Sequence, residues 1–238
     1  MRLLAPMLLI TASLAPVGAV ELGDGDGQVL IHPYYTVSAG HSTLLQVHNS
    51  RPRAKALKVR ILEGSNGRTA LSFNLYLGAG ETWAAALVAD EERGARILSA
   101  RPACTVPSIA EAGQPLLAFM YQGSGLGDGG SPSLARLREG HVEVIEMGEI
   151  LPDTDTANAV QQADCGALVQ AWTHSGVWRT SPERDLAAPA GGLQGESSLV
   201  DVPQGVMYRF SPVALDRFSG IIQHTLPSDD APSLANAA

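Results

Sequence analysis

The chain has 238 residues, 45% of them hydrophobic, and a formal charge of -8 at neutral pH. That apolar content is enough for a buried core and excludes a chain that stays unfolded for want of one. The acidic balance repels nucleic acid and anionic membrane surfaces, so neither is an expected partner.

Residues 1–19, "MRLLAPMLLITASLAPVGA", set Arg2 ahead of an apolar run that ends in the small residues Val17 and Ala19. This is the pattern of a secretory signal peptide, with cleavage expected after Ala19. Pro6, Pro16 and the shortness of the run argue against a retained membrane helix, and no cysteine follows it to carry a lipid. The expectation is an exported protein without a membrane span, periplasmic or extracellular. Residues 20–27 then read as a Gly/Asp linker, and "DGDG" within them spaces acidic side chains as calcium loops do, without the EF-hand glycine and distal glutamate.

From residue 28 the pattern is that of strands. Segments 28–37, 42–49, 55–63, 70–77 and 82–89 alternate or carry β-forming residues. Leu57, Val59 and Ile61 share one face of 55–63, with Lys58 and Arg60 on the other. "GSNGR" (64–68) supplies the Gly and Asn a hairpin needs. Trp83 is most simply a core aromatic.

The second half is less regular, with strands expected at 116–121, 141–147, 197–202 and 206–210 and a helix at 164–172. The fold class predicted is mainly β, an immunoglobulin-like antiparallel β-sandwich whose second half carries one or two short helices. It is read as a single β-rich domain over 28–225, or two packed subdomains over 28–100 and 101–225, with a flexible tail at 226–238.

Cys104 and Cys165 are the only cysteines. In an exported chain they are expected to form a disulfide; the rival reading, a nucleophilic thiolate with a histidine base, needs a thiol kept reduced outside the cytoplasm.

The segments "LIHPYYTV", "KALKVRILEG", "LSFNLYLGAGETW", "CTVPS", "REGHVEVIEMGE", "ADCGALVQAW" and "GVMYRFSPVALDRFS", taken in order, resemble a family of uncharacterised exported bacterial proteins over about residues 28–220. The first half is also similar to the β-sandwich modules of secreted bacterial proteins. The resemblance implies export and a β-rich fold. It implies no activity and no catalytic residue.

The stretch "GHVEVIEMGE" (140–149) sets a histidine and three glutamates on a strand. Strict alternation would mix apolar and charged residues on both faces, which a strand with one dry face avoids. A β-bulge at Val144 and Ile145 is the expected solution. It would turn Val142, Val144, Ile145 and Met147 inward and leave His141, Glu143 and Glu146 together outside. Those three could chelate Zn or another divalent metal with a further ligand, or simply form a solvated face.

Other motifs are incomplete. H-x-E lacks the P-C-x-x-C of zinc deaminases, and neither H-E-x-x-H nor G-x-S-x-G occurs. "GLGDGG" (125–130) fits a dinucleotide fingerprint literally but lacks a βαβ setting, so a flexible surface loop is expected. "DTDTAN" (153–158) reads as a calcium loop or a plain acidic loop, and Trp172 and Trp178 as sugar-stacking or core residues. The expected function is that of an exported non-catalytic protein without a cofactor, binding a protein or polymer of the cell envelope or serving a structural role. The alternative is a metal-binding protein or metal-dependent hydrolase centred on His141, Glu143 and Glu146.

Overall fold

A computed structural model describes residues 19–100, 103–122 and 127–237. Apart from Ala19, the expected leader lies outside the described residues, as do Gly125 and Leu126 of the glycine-rich loop.

The chain is mainly β. Its first half forms β1 (Glu21–Leu22), β2 (Val29–Thr36), β3 (His41–Asn49), β4 (Lys55–Glu63), β5 (Thr69–Leu77), β6 (Thr82–Asp90) and β7 (Gly94–Ser99). Two short strands follow, β8 (Cys104–Val106) and β9 (Gln114–Pro115), and then the long β10 (Glu139–Ile150). Three helices come next, α1 (Asp155–Gln161), α2 (Cys165–Ala171) and α3 (Val177–Thr180). The remaining strands are β11 (Leu186–Ala187), β12 (Leu193–Asp201), β13 (Val206–Phe210) and β14 (Val213–Asp216).

Two antiparallel sheets pack face to face. One runs β1-β14-β2-β10-β4-β5-β8, with β11 also on β10, and the other runs β13-β12-β3-β6-β7-β9. These eight and six strands exceed the about seven to nine of an immunoglobulin domain. Both halves of the chain share both sheets, because β10 lies between β2 and β4, and β12 pairs with β3. The main core fills the space between the sheets with Leu57, Val59, Ile61, Phe73, Leu75, Trp83, Leu87, Ile97, Val142 and Val144. Trp83 is buried there, edge-on to Phe73.

A second core lies on the opposite face of the first sheet. Ala56, Tyr76, Met147 and Ile150 meet Val160, Leu168, Trp172 and Trp178 of the helices, and Ile222 and Leu226 pack against them. As a result β4 is buried along its whole length.

Local chemistry explains the elements. Gly67 takes a positive φ of 66° in the β4–β5 turn, and the Glu63 carboxylate accepts from the backbone N–H groups of Ser65, Asn66 and Arg68. "DTDTAN" starts α1, with the Thr154 hydroxyl accepting from Ala157 N–H; Asp164 caps α2 in the same way at Ala167. Gly140 permits β10 to pass close to β4, since a Cβ there would lie 1.9 Å from the Leu62 carbonyl oxygen.

Two expectations need correction. Residues 116–121 form no strand, because Leu116 N–H bonds to Ala95 of one sheet and Leu117 N–H to Ala70 of the other. A segment that stitches two sheets together joins neither ladder, although Leu116 and Tyr121 enter the core. The start of the 226–238 tail, expected to be flexible, lies along the first sheet: Lys58 Nζ donates to Leu226 O (2.6 Å) and Ser72 Oγ to Asp229 O (3.0 Å), and just before it Asn74 Nδ2 donates to Thr225 O (2.9 Å).

Cys104 and Cys165 are bonded and tie β8 to α2. Replacing both by alanine removes a link across 61 residues. The chain-entropy relation gives a loss of about 4 kcal/mol, read as a lower urea midpoint.

Candidate functional site

The bulge expected at Val144 and Ile145 is absent. From Gly140 to Glu146, β10 pairs residue by residue with β4, and the register shifts only between Glu146 and Gly148. Against β2 the shift falls between Gly140 and Val142. Alternation is therefore strict. Val142 and Val144 enter the inter-sheet core, whereas Ile145 and Met147 join the apolar clusters of the outer face. The mixed pattern is tolerated because both faces of β10 are covered.

The proposed ligand set is thereby split. His141 and Glu143 share the outer face, with His141 Nε2 3.6 Å from Glu143 Oε1. Glu143 is buried and bonded to the Arg60 guanidinium, which also donates to Thr69 Oγ1 (3.2 Å). Burial pushes the Glu143 carboxyl upward, but His141 and Arg60 hold it below the ordinary carboxylate range.

Glu146 points the other way, into the sandwich. Its Oε1 accepts from Lys55 Nζ at 2.6 Å, and both side chains are fully buried. It also accepts from the backbone N–H groups of Ala190 (3.0 Å) and Gly191 (2.8 Å). Burial pushes its carboxyl above the ordinary range, opposed by Lys55 and these two donors. Glu149 stands 3.9 Å from Lys55 Nζ and accepts from Arg53. Among the described residues, no three His, Cys, Asp or Glu side chains converge in a geometry that could hold a metal.

The other singled-out residues are also held internally. Asp128 of the glycine-rich loop accepts two bonds from Arg136, which also donates two to Glu63 and one to the Ser131 carbonyl and lies 4.0 Å from the Tyr121 ring centre. Arg136 holds the Asp128 carboxyl well below the usual range. The end of that loop is thus pinned to the sandwich by ionic contacts.

Trp172 and Trp178 are buried and unavailable for sugar stacking. Trp172 Nε1 donates to Tyr76 Oη (2.8 Å), Tyr76 Oη donates to His224 Nε2 (2.9 Å), and His224 Nδ1 donates to the Pro182 carbonyl (2.6 Å). Each donor has an acceptor only if His224 is neutral. Burial lowers its pKa to about 4, against the Pro182 bond and with help from Lys58.

No local spacing signals a second histidine contact. His32 Nδ1 lies 2.7 Å from Ser197 Oγ across the two sheets, and both residues have no exposed surface. It has the atoms of a nucleophile and its base, but His32 Nε2 has no partner among the described residues to orient it. Sealed from substrate, the pair serves as a tie between the sheets. Burial lowers the His32 pKa to about 4.

Two measurements follow from this geometry. Lys55→Met strands a buried carboxylate and is expected to cost about 3–5 kcal/mol, whereas adding Glu146→Gln should recover most of the loss. A double variant no more stable than the single one would mean that the two residues do not act as a unit. The second measurement is pH dependence. Between about pH 4 and 6.5 the unfolded chain carries protons on His32 and His224 that the folded protein does not. Stability therefore rises with pH across that window and is lost on acidification through it, with Glu146 working in the opposite sense. The urea midpoint should fall on acidification, and less steeply in His224→Gln; equal slopes would refute a neutral buried His224.

No protein-family model, curated protein or solved structure matches this chain.

Proposed function

We propose that the protein is an exported, non-catalytic member of the cell envelope or exterior that works by binding another polypeptide along the β12–β13 hairpin. The leader pattern and the resemblance to exported proteins support the location. The disulfide is compatible with it, and among the described residues no helix is long and apolar enough to cross a membrane.

The observation that carries the reading is the exposed apolar surface at β13. This strand is the edge of the second sheet, and Val206, Met207 and Tyr208 on it are 37%, 46% and 60% exposed; Val202 in the preceding turn is 63% exposed. Edge strands are usually blunted by charge, proline or a bulge. The one charge on β13, Arg209, lies 3.6 Å from Glu196 of its own hairpin partner strand. The edge thus offers unpaired backbone and apolar side chains to a neutral, extended partner segment, which is the chemistry of strand addition. The carboxylates that suggested catalysis are held inside the protein instead, Glu143 by Arg60 and Glu146 by Lys55 on opposite faces of β10, which favours a binding role over a hydrolytic one.

The test places a photoreactive phenylalanine analogue at position 208, and as a control at the exposed position 91, in cells that export the full chain. A discrete adduct from 208 alone, lost on Met207→Lys, is the expected result. Equal adducts from both positions, or none from 208, would remove the reading.

A further inference from the structure

Strand β8 covers only part of its neighbour. It pairs with β5 at Asn74, Leu75 and Tyr76, whereas Leu71, Ser72 and Phe73 pair with β4 alone. Successive residues of an antiparallel strand direct their N–H and C=O groups to opposite sides. Within Leu71–Phe73, at least one residue therefore turns both groups toward the uncovered side.

That side opens into a cavity of about 250 Å³, walled by Leu71, Phe73, Ile109, Leu117 and Phe119, with Asp230 at its rim. The Pro107–Phe119 segment forms the far wall, and its Leu117 N–H bonds to the Ala70 carbonyl of β5. Drug-sized ligands occupy about 300–1,000 Å³, so this space suits one or two side chains better than a whole cofactor. Phe119, which lines the cavity, is 57% exposed. Asp230 is the only charged residue in the lining, is itself exposed, and belongs to an acidic chain.

We infer that this notch is a second binding site, which takes an extended peptide pairing with β5 at Leu71–Phe73 and seats one bulky apolar side chain, flanked by a basic residue, in the cavity. The backbone pairing supplies affinity, the cavity selects the apolar anchor, and Asp230 selects the basic flank. The site stands apart from β13 and holds whether or not that hairpin has a partner.

The test titrates the oxidised full chain, labelled with ¹⁵N, with the probe acetyl-Lys-Thr-Phe-Thr-Lys-amide. Saturable amide shifts centred on Leu71, Ser72, Phe73 and Leu117 are expected. Asp230→Lys, a change at an exposed position, should weaken binding by about tenfold. Replacing the probe's phenylalanine by aspartate should abolish it. Shifts absent at millimolar probe would overturn the inference. So would equal affinity for N-acetylphenylalanine methylamide, which cannot add a strand, or shifts confined to Val206–Phe210, which would support the β13 reading alone.

Discussion

The pairing of β4 with β10, covered on both faces, is the constraint on which the rest of the structure depends. A strand buried on one side can send its charges to water; these two cannot. Each charged residue at their centre therefore needs a partner inside the protein. Glu146 has Lys55 and two backbone N–H groups, and Glu143 has Arg60. Lys58 has a carbonyl of the C-terminal segment, and burial lowers its pKa to about 7 despite Asp229 and Asp230. Removing one member leaves an uncompensated charge in a medium that solvates it poorly.

The same constraint explains what was legible in the sequence. The strands of the first half alternate cleanly, and their hairpin carries its glycine where a positive φ is needed. The two cysteines and the apolar face around Leu168 and Trp172 were also readable. The faces of β10 were not. Its mixed pattern fits a bulge only if one face is dry and the other wet, whereas the outer face is covered by α1–α3, which follow it in the chain, and by residues 218–226, which are remote from it. The register shift lies one step beyond Glu146, where sequence offers only Met147 and Gly148.

The candidate site was less legible than the fold for a related reason. Residue types indicate what chemistry is available, and only the three-dimensional partners decide whether it is free. His141 keeps one acidic neighbour, while Glu146 faces the opposite side. The His32–Ser197 contact and the Tyr76–Trp172–His224 chain join residues 96 to 165 positions apart. No local spacing could signal either. The two surfaces proposed for binding are edges, at β13 and along β5, and an edge is defined by the strand that is missing beside it.

The place of β10 also bears on the order in which the protein can assemble. Strands β2 and β4 cannot close around their shared neighbour until residues 139–150 have been made, and the outer core waits for residues 218–226. So high a share of distant contacts predicts slow folding with little stable native structure in a partial chain. For the exported protein proposed above, such a delay would keep the chain threadable during translocation and leave the thiols of Cys104 and Cys165 to join in an oxidising compartment.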